Sequence, residues 1–510
     1  MKMLQTKSSL TIIFSLQLIT GVPIIFDRGV DDYYWKLRAD LLQSEESIAF
    51  GGDLHLDENE ICANHILMCA KYKEIDEAFY NQREFLPRAN FLTVQKKIEQ
   101  SDVFKIIQKM PKGALLHAHD VATVSQEYVL WNVTYRPDLY VCDIEGKLKL
   151  QFFETPDKYC NWNLLSKLRV NASIENEINK RILNQMSMIT DDPARAYSDG
   201  DKAWEKFQSL FEFLASFMRY KPVFEDYYYQ LLKESYDDKI IYAELRTPLP
   251  TLYDLNGNKY KGLDVVTIIK DNVERFIEDH PGFHGVKLIY SKNRRVNKQQ
   301  LNKYLKIYKQ IKQAYPSFVA GFDLVGHEDK GPALKTFAEQ LLPETQMQGF
   351  FHAGETDWYG LETDENLIDA VLLNAKRIGH GYALPKHPKL MEILKERDIA
   401  IELNPISNQV LNLVSDLRNH PASILFAENY PIVVSSDDPG LWGAKGLSYD
   451  FYEAFMGIMS RNSDLRALKK LALNSLLYSS ISDDEMVKAF RIFEKQWQEF
   501  LSEMDEKFQP

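Results

Sequence analysis

A chain of 510 residues, 45% of them apolar, has the material for a sizeable buried core, built as one large domain with additions or as a few ordinary ones. Its 61 basic and 73 acidic residues leave a net charge of -12, which argues against binding the phosphate backbone of a nucleic acid and favours a small substrate or a protein partner. No stretch is long and apolar enough to insert across a bilayer.

The N-terminus begins Met1-Lys2-Met3, carries Lys7, and runs apolar from Leu10 to Ile19 before the small pair Thr20-Gly21. That is the layout of a secretory signal peptide over residues 1–21, so a secreted, extracellular protein is expected. Residues 22–106 read as helical, because charged and apolar residues interleave (Tyr34 to Arg38, Ile66 to Met68, Val94 to Ile98) without strand-like alternation. A helical arm of this kind packs on the main domain or on a second subunit. Its Cys62 and Cys69 lie two helical turns apart, ~10 Å between Cα atoms, which is beyond disulfide reach.

The stretch Gly113-Ala114-Leu115-Leu116-His117-Ala118-His119-Asp120 follows. In an extended segment residues two apart point to one side, so His117 and His119 present both imidazoles to one point, as metal ligands on a strand do. A lone His-x-His arises often by chance, and its weight depends on what the rest of the chain supplies.

From Gly113 onward, short apolar runs end in a polar residue and are each followed by a helical stretch. The runs cover residues 114–119, 239–244, 285–290, 319–325, 349–352, 377–380, 399–403 and 431–437. Strands alternating with helices make parallel β/α units, and eight of them predict an α/β fold of the TIM (β/α)8 barrel type over residues 107–510. The gap after the first run is far longer than one helix needs, so an insertion leaves there, placed at residues 127–190. It holds Cys142 and Cys160, which flank a turn-rich polar segment suited to a disulfide, and the glycosylation sequons at Asn132 and Asn171. Trp204 and the helical stretch Phe207 to Phe217 come after it, and the tail ends in an amphipathic helix from Met486 to Phe500.

In such a barrel the C-terminal ends of the strands converge on one face, where chemistry is built. Reading those ends collects His117, His119, Gly326, His327, His352, Glu355, His380, Asp437 and Asp438. Three imidazoles and a carboxylate (His117, His119, His352 and Asp437) suit one Zn2+ with an open position for water, whose pKa the ion lowers towards ~7. Glu355 and His380 stand beside that set as proton handlers. The fourth run ends without a lysine, which favours one metal over two.

The segments Met110 to Asp120, Gly321 to Asp329, Phe351 to Asp357, Arg377 to Gly381, Pro405 to Val410 and Ser435 to Pro439 resemble those of the adenosine deaminase family, and more narrowly its secreted branch, adenosine deaminase 2 and the adenosine deaminase-related growth factors. The resemblance implies a zinc-dependent hydrolase of the metal-dependent hydrolase type, converting adenosine and 2′-deoxyadenosine to inosine and 2′-deoxyinosine. It implies the same four ligands, with Glu355 as proton donor to purine N1, His380 as the group that orients and deprotonates the attacking water, and Asp438 as a substrate contact. It places Asp120, Trp204 and Gly326 around the nucleoside, with Asn293 where some relatives carry a histidine. It further implies a homodimer paired through the N-terminal helical region, an insertion that meets a cell-surface receptor or glycan, and growth-factor activity. The cytidine-type deaminases need a Pro-Cys-x-x-Cys pair that this sequence lacks. Two alternatives stay open at this point: a purine deaminase acting on adenine or AMP, and a secreted growth factor that uses the barrel only as a scaffold.

Overall fold

The computed structural model describes residues 30–507; the segment 1–21 read as a signal peptide lies outside the described residues. Helix Val30–Ile48 forms one unit by itself, with Tyr34, Trp35, Leu41 and Leu42 exposed. The rest of the described chain forms a second unit.

The core of that unit is a ring of eight parallel strands: β1 (Gly113–His119), β2 (Ile240–Thr247), β3 (Gly285–Asn293), β4 (Val319–Val325), β5 (His352–Ala353), β6 (Arg377–His380), β7 (Ala400–Leu403) and β8 (Ile432–Val434). They pair in sequence order as two four-stranded sheets, β1 to β4 and β5 to β8. Two bridges join the sheets into a closed barrel, Phe322 to Gly349 and Ala118 to Asp437. At the first junction a Cβ on Gly321 would lie 2.2 Å from the Gln348 carbonyl, so glycine lets the two strands meet. At the second, the His119 amide donates to the Asp437 carbonyl at 3.0 Å and the Asp437 amide to the His117 carbonyl at 3.0 Å. All eight predicted runs are barrel strands or pair at a barrel junction. The run 349–352 forms a ladder only at its end, because its first residues are joined to β4 by Phe350 and Gln348.

Strands buried on both faces should be uniformly apolar, yet this barrel encloses charge. Glu244, Arg246, Asp323, Arg377 and Glu402 are all buried inside it. Around the strands, helices such as Leu263–Asp279 and Lys298–Ala314 bury one apolar face each. Helix Glu58–Tyr80, started by an Asp57/Glu60 capping box, packs on helices Asp102–Lys109 and Asp483–Lys507. Its Cys62 and Cys69 are free and exposed, as their spacing required.

The insertion after β1 contains a three-stranded antiparallel sheet, with Leu139–Ile144 between Lys147–Phe152 and Asn163–Leu164. Glu145 and Gly146 turn the hairpin with φ of 53° and 84°, the left-handed pair a two-residue turn needs. The Cys142–Cys160 disulfide ties the central strand to the loop beyond its neighbour. Asn132 and Asn171 are both exposed. Among the described residues no helix is long and apolar enough to cross a membrane.

Candidate metal and substrate site

Five side chains converge where the strands end. His117 and His119 come from β1, His352 from β5, His380 from β6, and Asp437 from the turn after β8. His380 and Asp437 have left-handed backbones, φ 63° and 58°, uncommon outside glycine, which turn both side chains in towards the barrel axis. Asp437 Oδ1 lies 3.3 Å from His117 Nε2 and 3.2 Å from His119 Nε2, and Asp437 Oδ2 lies 3.7 Å from His380 Nε2. The ligand atoms of His117, His352, His380 and Asp437 all fall within 4.8 Å of one another, as do those of His119, Asp437 and Asp438. His117 Nε2 and Asp437 Oδ1 are buried with no hydrogen-bond partner. Buried polar atoms are otherwise nearly always paired, and this donor set, imidazole nitrogens facing a carboxylate oxygen, fits a divalent first-row metal ion.

The wiring behind these groups was not identified from the sequence. His117 Nδ1 donates to Glu402 at 2.7 Å, and His352 Nδ1 donates to Asp323 at 2.7 Å. Each carboxylate accepts a hydrogen bond from Nδ1–H, which keeps the proton on that nitrogen and the Nε2 lone pair facing the cluster. Arg246 bridges the two carboxylates, 2.7 Å from Asp323 and 2.7 Å from Glu402, and Arg377 bridges Glu402 to Glu244 with 2.7 Å contacts to both. Burial opposes ionisation of Glu402, but Arg246 and Arg377 hold its carboxyl well below the usual range. The signal was a charged residue between apolar neighbours, as in Ile401-Glu402-Leu403 and Phe322-Asp323-Leu324.

Glu355 sits in a bend after β5, its amide and that of Gly354 donating to Glu328 at 2.9 and 3.0 Å. Burial, then the nearby Asp437 and Glu328 carboxylates, push the Glu355 carboxyl well above its ordinary pKa, which favours its protonated form. Its Oε1 lies 3.6 Å from His380 Nδ1. Asp438 is likewise pushed up by burial and by Asp437, and its Oδ1 has no partner.

His119, His352, Glu355, His380, Asp437 and Asp438 line the floor of a cavity of about 340 Å³. Asp120, Trp204, Asn293 and Gly326 form part of its wall. Asp120 is anchored by the Tyr228 hydroxyl, and its Oδ1 accepts the Val121 amide at 2.8 Å. Trp204 stacks flat on His327, with ring centroids 4.6 Å apart, so the strand-end histidine without an assigned role supports the indole. A Cβ on Gly326 would lie 3.1 Å from Asn293 Nδ2, and the absence of a side chain keeps that amide open to the cavity.

Residues 184–491 match the family model described as adenosine deaminase, and residues 24–107 match adenosine/AMP deaminase N-terminal. The chain is 44% identical to adenosine deaminase of Phlebotomus duboscqi, over 92% of this chain and 91% of that protein. It is 40% identical to adenosine deaminase 2 of Homo sapiens, over 92% of this chain and 94% of that protein. In fold it is similar to a crystal structure of an amidohydrolase from Burkholderia ambifaria with bound Zn (TM-score 0.54, 16% identity, 79% of this chain and 94% of that one).

Proposed function

Because this chain belongs to the adenosine deaminase family, we propose that it is a secreted, zinc-dependent adenosine deaminase that hydrolyses adenosine and 2′-deoxyadenosine to inosine and 2′-deoxyinosine with release of ammonia. The observation that carries the reading is the pair of buried atoms without a hydrogen-bond partner, His117 Nε2 and Asp437 Oδ1, the second of them at the floor of a nucleoside-sized cavity beside the Glu355 carboxyl, whose pKa is pushed up. His117, His119, His352 and Asp437 would hold the zinc. Bound there, zinc supplies activation of water as a nucleophile at neutral pH.

The chain's own groups move the protons. Glu355 gives its proton to purine N1, which makes C6 electrophilic. His380 orients the attacking oxygen, which bonds to C6 after the water has given one proton to solvent, and Asp438 holds it in place. The C6–N6 bond then breaks as N6 takes a proton from solvent and leaves as ammonia, while the remaining proton of the C6 hydroxyl returns to Glu355 to leave the C6 carbonyl. Asp120, Trp204 and Gly326 hold the nucleoside, with Asn293 beside Gly326 on the ribose side.

In the same reading residues 1–21 direct secretion, Asn132 and Asn171 carry glycans, the N-terminal helices within 22–106 pair two chains, and the insertion 127–190 meets a cell-surface receptor or glycan and serves growth-factor activity. The disulfide supports an oxidising compartment. The deciding measurement is the loss of adenosine absorbance with purified, zinc-analysed protein, run beside adenine and AMP. No turnover of adenosine would sink the assignment.

A further inference from the structure

Geometry alone leaves His380 ambiguous, since its ligand atom lies in the same tight group as those of His117, His352 and Asp437. The hydrogen bonds behind it separate it from the other imidazoles. Behind His117 and His352 stand carboxylates, which only accept when ionised. His380 Nδ1 instead meets two amides, Asn408 Nδ2 at 3.2 Å and Asn404 Nδ2 at 3.5 Å, with the Glu355 carboxyl further off at 3.6 Å.

The orientation of the Asn408 amide follows from a fixed point further out. The Ala422 backbone N–H donates to His420 Nδ1 at 3.1 Å. A backbone N–H can only donate, so His420 Nδ1 must carry a lone pair, and the proton of this neutral imidazole sits on Nε2. His420 is buried, 1% exposed, and burial pushes its pKa down to about 3, which keeps it neutral. Its Nε2 faces Asn408 Oδ1 at 3.1 Å and donates to it. The Asn408 amide is therefore turned with its NH2 towards His380, whose Nδ1 must accept. The remaining His380 proton is on Nε2, the atom 3.7 Å from Asp437 Oδ2.

We infer that His420, acting through Asn408, is a positioning residue that fixes His380 as the Nε2–H tautomer, so that His380 faces the metal cluster with an N–H where His117 and His352 face it with lone pairs. His380 is thereby kept out of the ligand set and held as a group that bonds the attacking oxygen. The consequence for turnover rests on the deaminase reading above; the tautomer does not.

The test is histidine-selective nitrogen NMR of the zinc-loaded full chain, with the His380 signal assigned by its loss in His380→Gln, alongside kcat and KM for adenosine. The native protein should carry the His380 proton on Nε2. Asn408→Asp, which sets a carboxylate against Nδ1, should move it to Nδ1. His420→Asn keeps an oxygen for the Ala422 amide but loses the donor to Asn408; it should lower kcat by about 10–100-fold, with KM and zinc content unchanged. His420→Gln, whose amide nitrogen replaces Nε2–H, should restore most of that loss. A native His380 protonated at Nδ1, or a His420→Gln no better than His420→Asn, overturns the inference. If His420→Asn fails to fold, the native spectrum and Asn408→Asp still decide. A chain inert towards adenosine sinks the functional reading alone, because the tautomer is read without substrate.

Discussion

Glu402→Gln is the most searching change at the wall of the site. The Glu402 carboxylate takes three donors: His117 Nδ1 and Arg246 Nη2 on Oε2, and Arg377 Nε on Oε1, each at 2.7 Å. A glutamine fills the same space with only one oxygen. If its NH2 takes the Oε1 position it opposes Arg377; if it takes the Oε2 position it opposes both His117 and Arg246. Either way a buried donor is left facing another donor, and Arg246 and Arg377 each keep only one of their two carboxylate partners, a change that costs about 1–3 kcal/mol. The metal adds a second loss. Removing the group that holds His117 in its Nδ1–H form costs about 10–100-fold in metal affinity, which at fixed saturating zinc removes a further ~1.4–2.8 kcal/mol of stability. Urea unfolding with zinc and with chelator should therefore give a larger gap between wild type and variant with zinc present. Equal gaps in the two conditions, or a metal-free loss below ~1 kcal/mol, would refute the reasoning.

Glu355→Gln keeps the shape of the proposed acid but not its proton; kcat for adenosine should fall by about 10²–10⁴-fold while zinc analysis gives full occupancy. Trp204→Ala removes one wall of the cavity and the stack on His327, and should raise KM by roughly tenfold, or ~1.4 kcal/mol, with little change in kcat in steady-state assays. His420 has a folded pKa near 3, below its ordinary 6.5, so the unfolded chain binds the extra proton and the stability it contributes is lost as pH falls from 6.5 towards 3. His420→Gln lacks that titration, so its stability relative to wild type should rise by up to roughly 4 kcal/mol over that window, read by urea unfolding at stepped pH. Cys142→Ser with Cys160→Ser should loosen the insertion by about 3 kcal/mol, seen as faster proteolysis within it, and leave kcat unchanged.

The strand ends were legible because a buried parallel strand writes itself as an apolar run and the barrel gathers the ends of those runs on one face. His117, His119, His352, His380 and Asp437 could thus be collected without a structure. The charged interior was less legible. Glu402 and Asp323 reveal themselves only as acids wedged between apolar neighbours, and their partner Arg246 lies on a strand that adds nothing to the metal cluster. His420 was beyond reach: it stands in irregular chain after the short helix Leu417–Asn419, where no periodicity predicts which way a side chain points. The insertion was read from its length, its cysteines and its sequons, and its sheet follows from the two-residue turn at Glu145-Gly146.

The seam of the barrel has its own consequence for how the molecule comes into being. The first and last strands meet through the backbones of His117, His119 and Asp437, and the Ser435 hydroxyl that receives the His117 amide is 318 residues further along the chain. The ring cannot close until its eighth strand has been synthesised, so the ligand set is assembled by a contact between distant parts of the chain, of the kind that forms slowly. An ion bound to both sides of that junction would work as a clasp, resisting the opening of the barrel where the chain joins its own beginning. The amides of His119 and Asp437 would then be the hydrogens whose exchange with solvent slows most when the clasp is fastened.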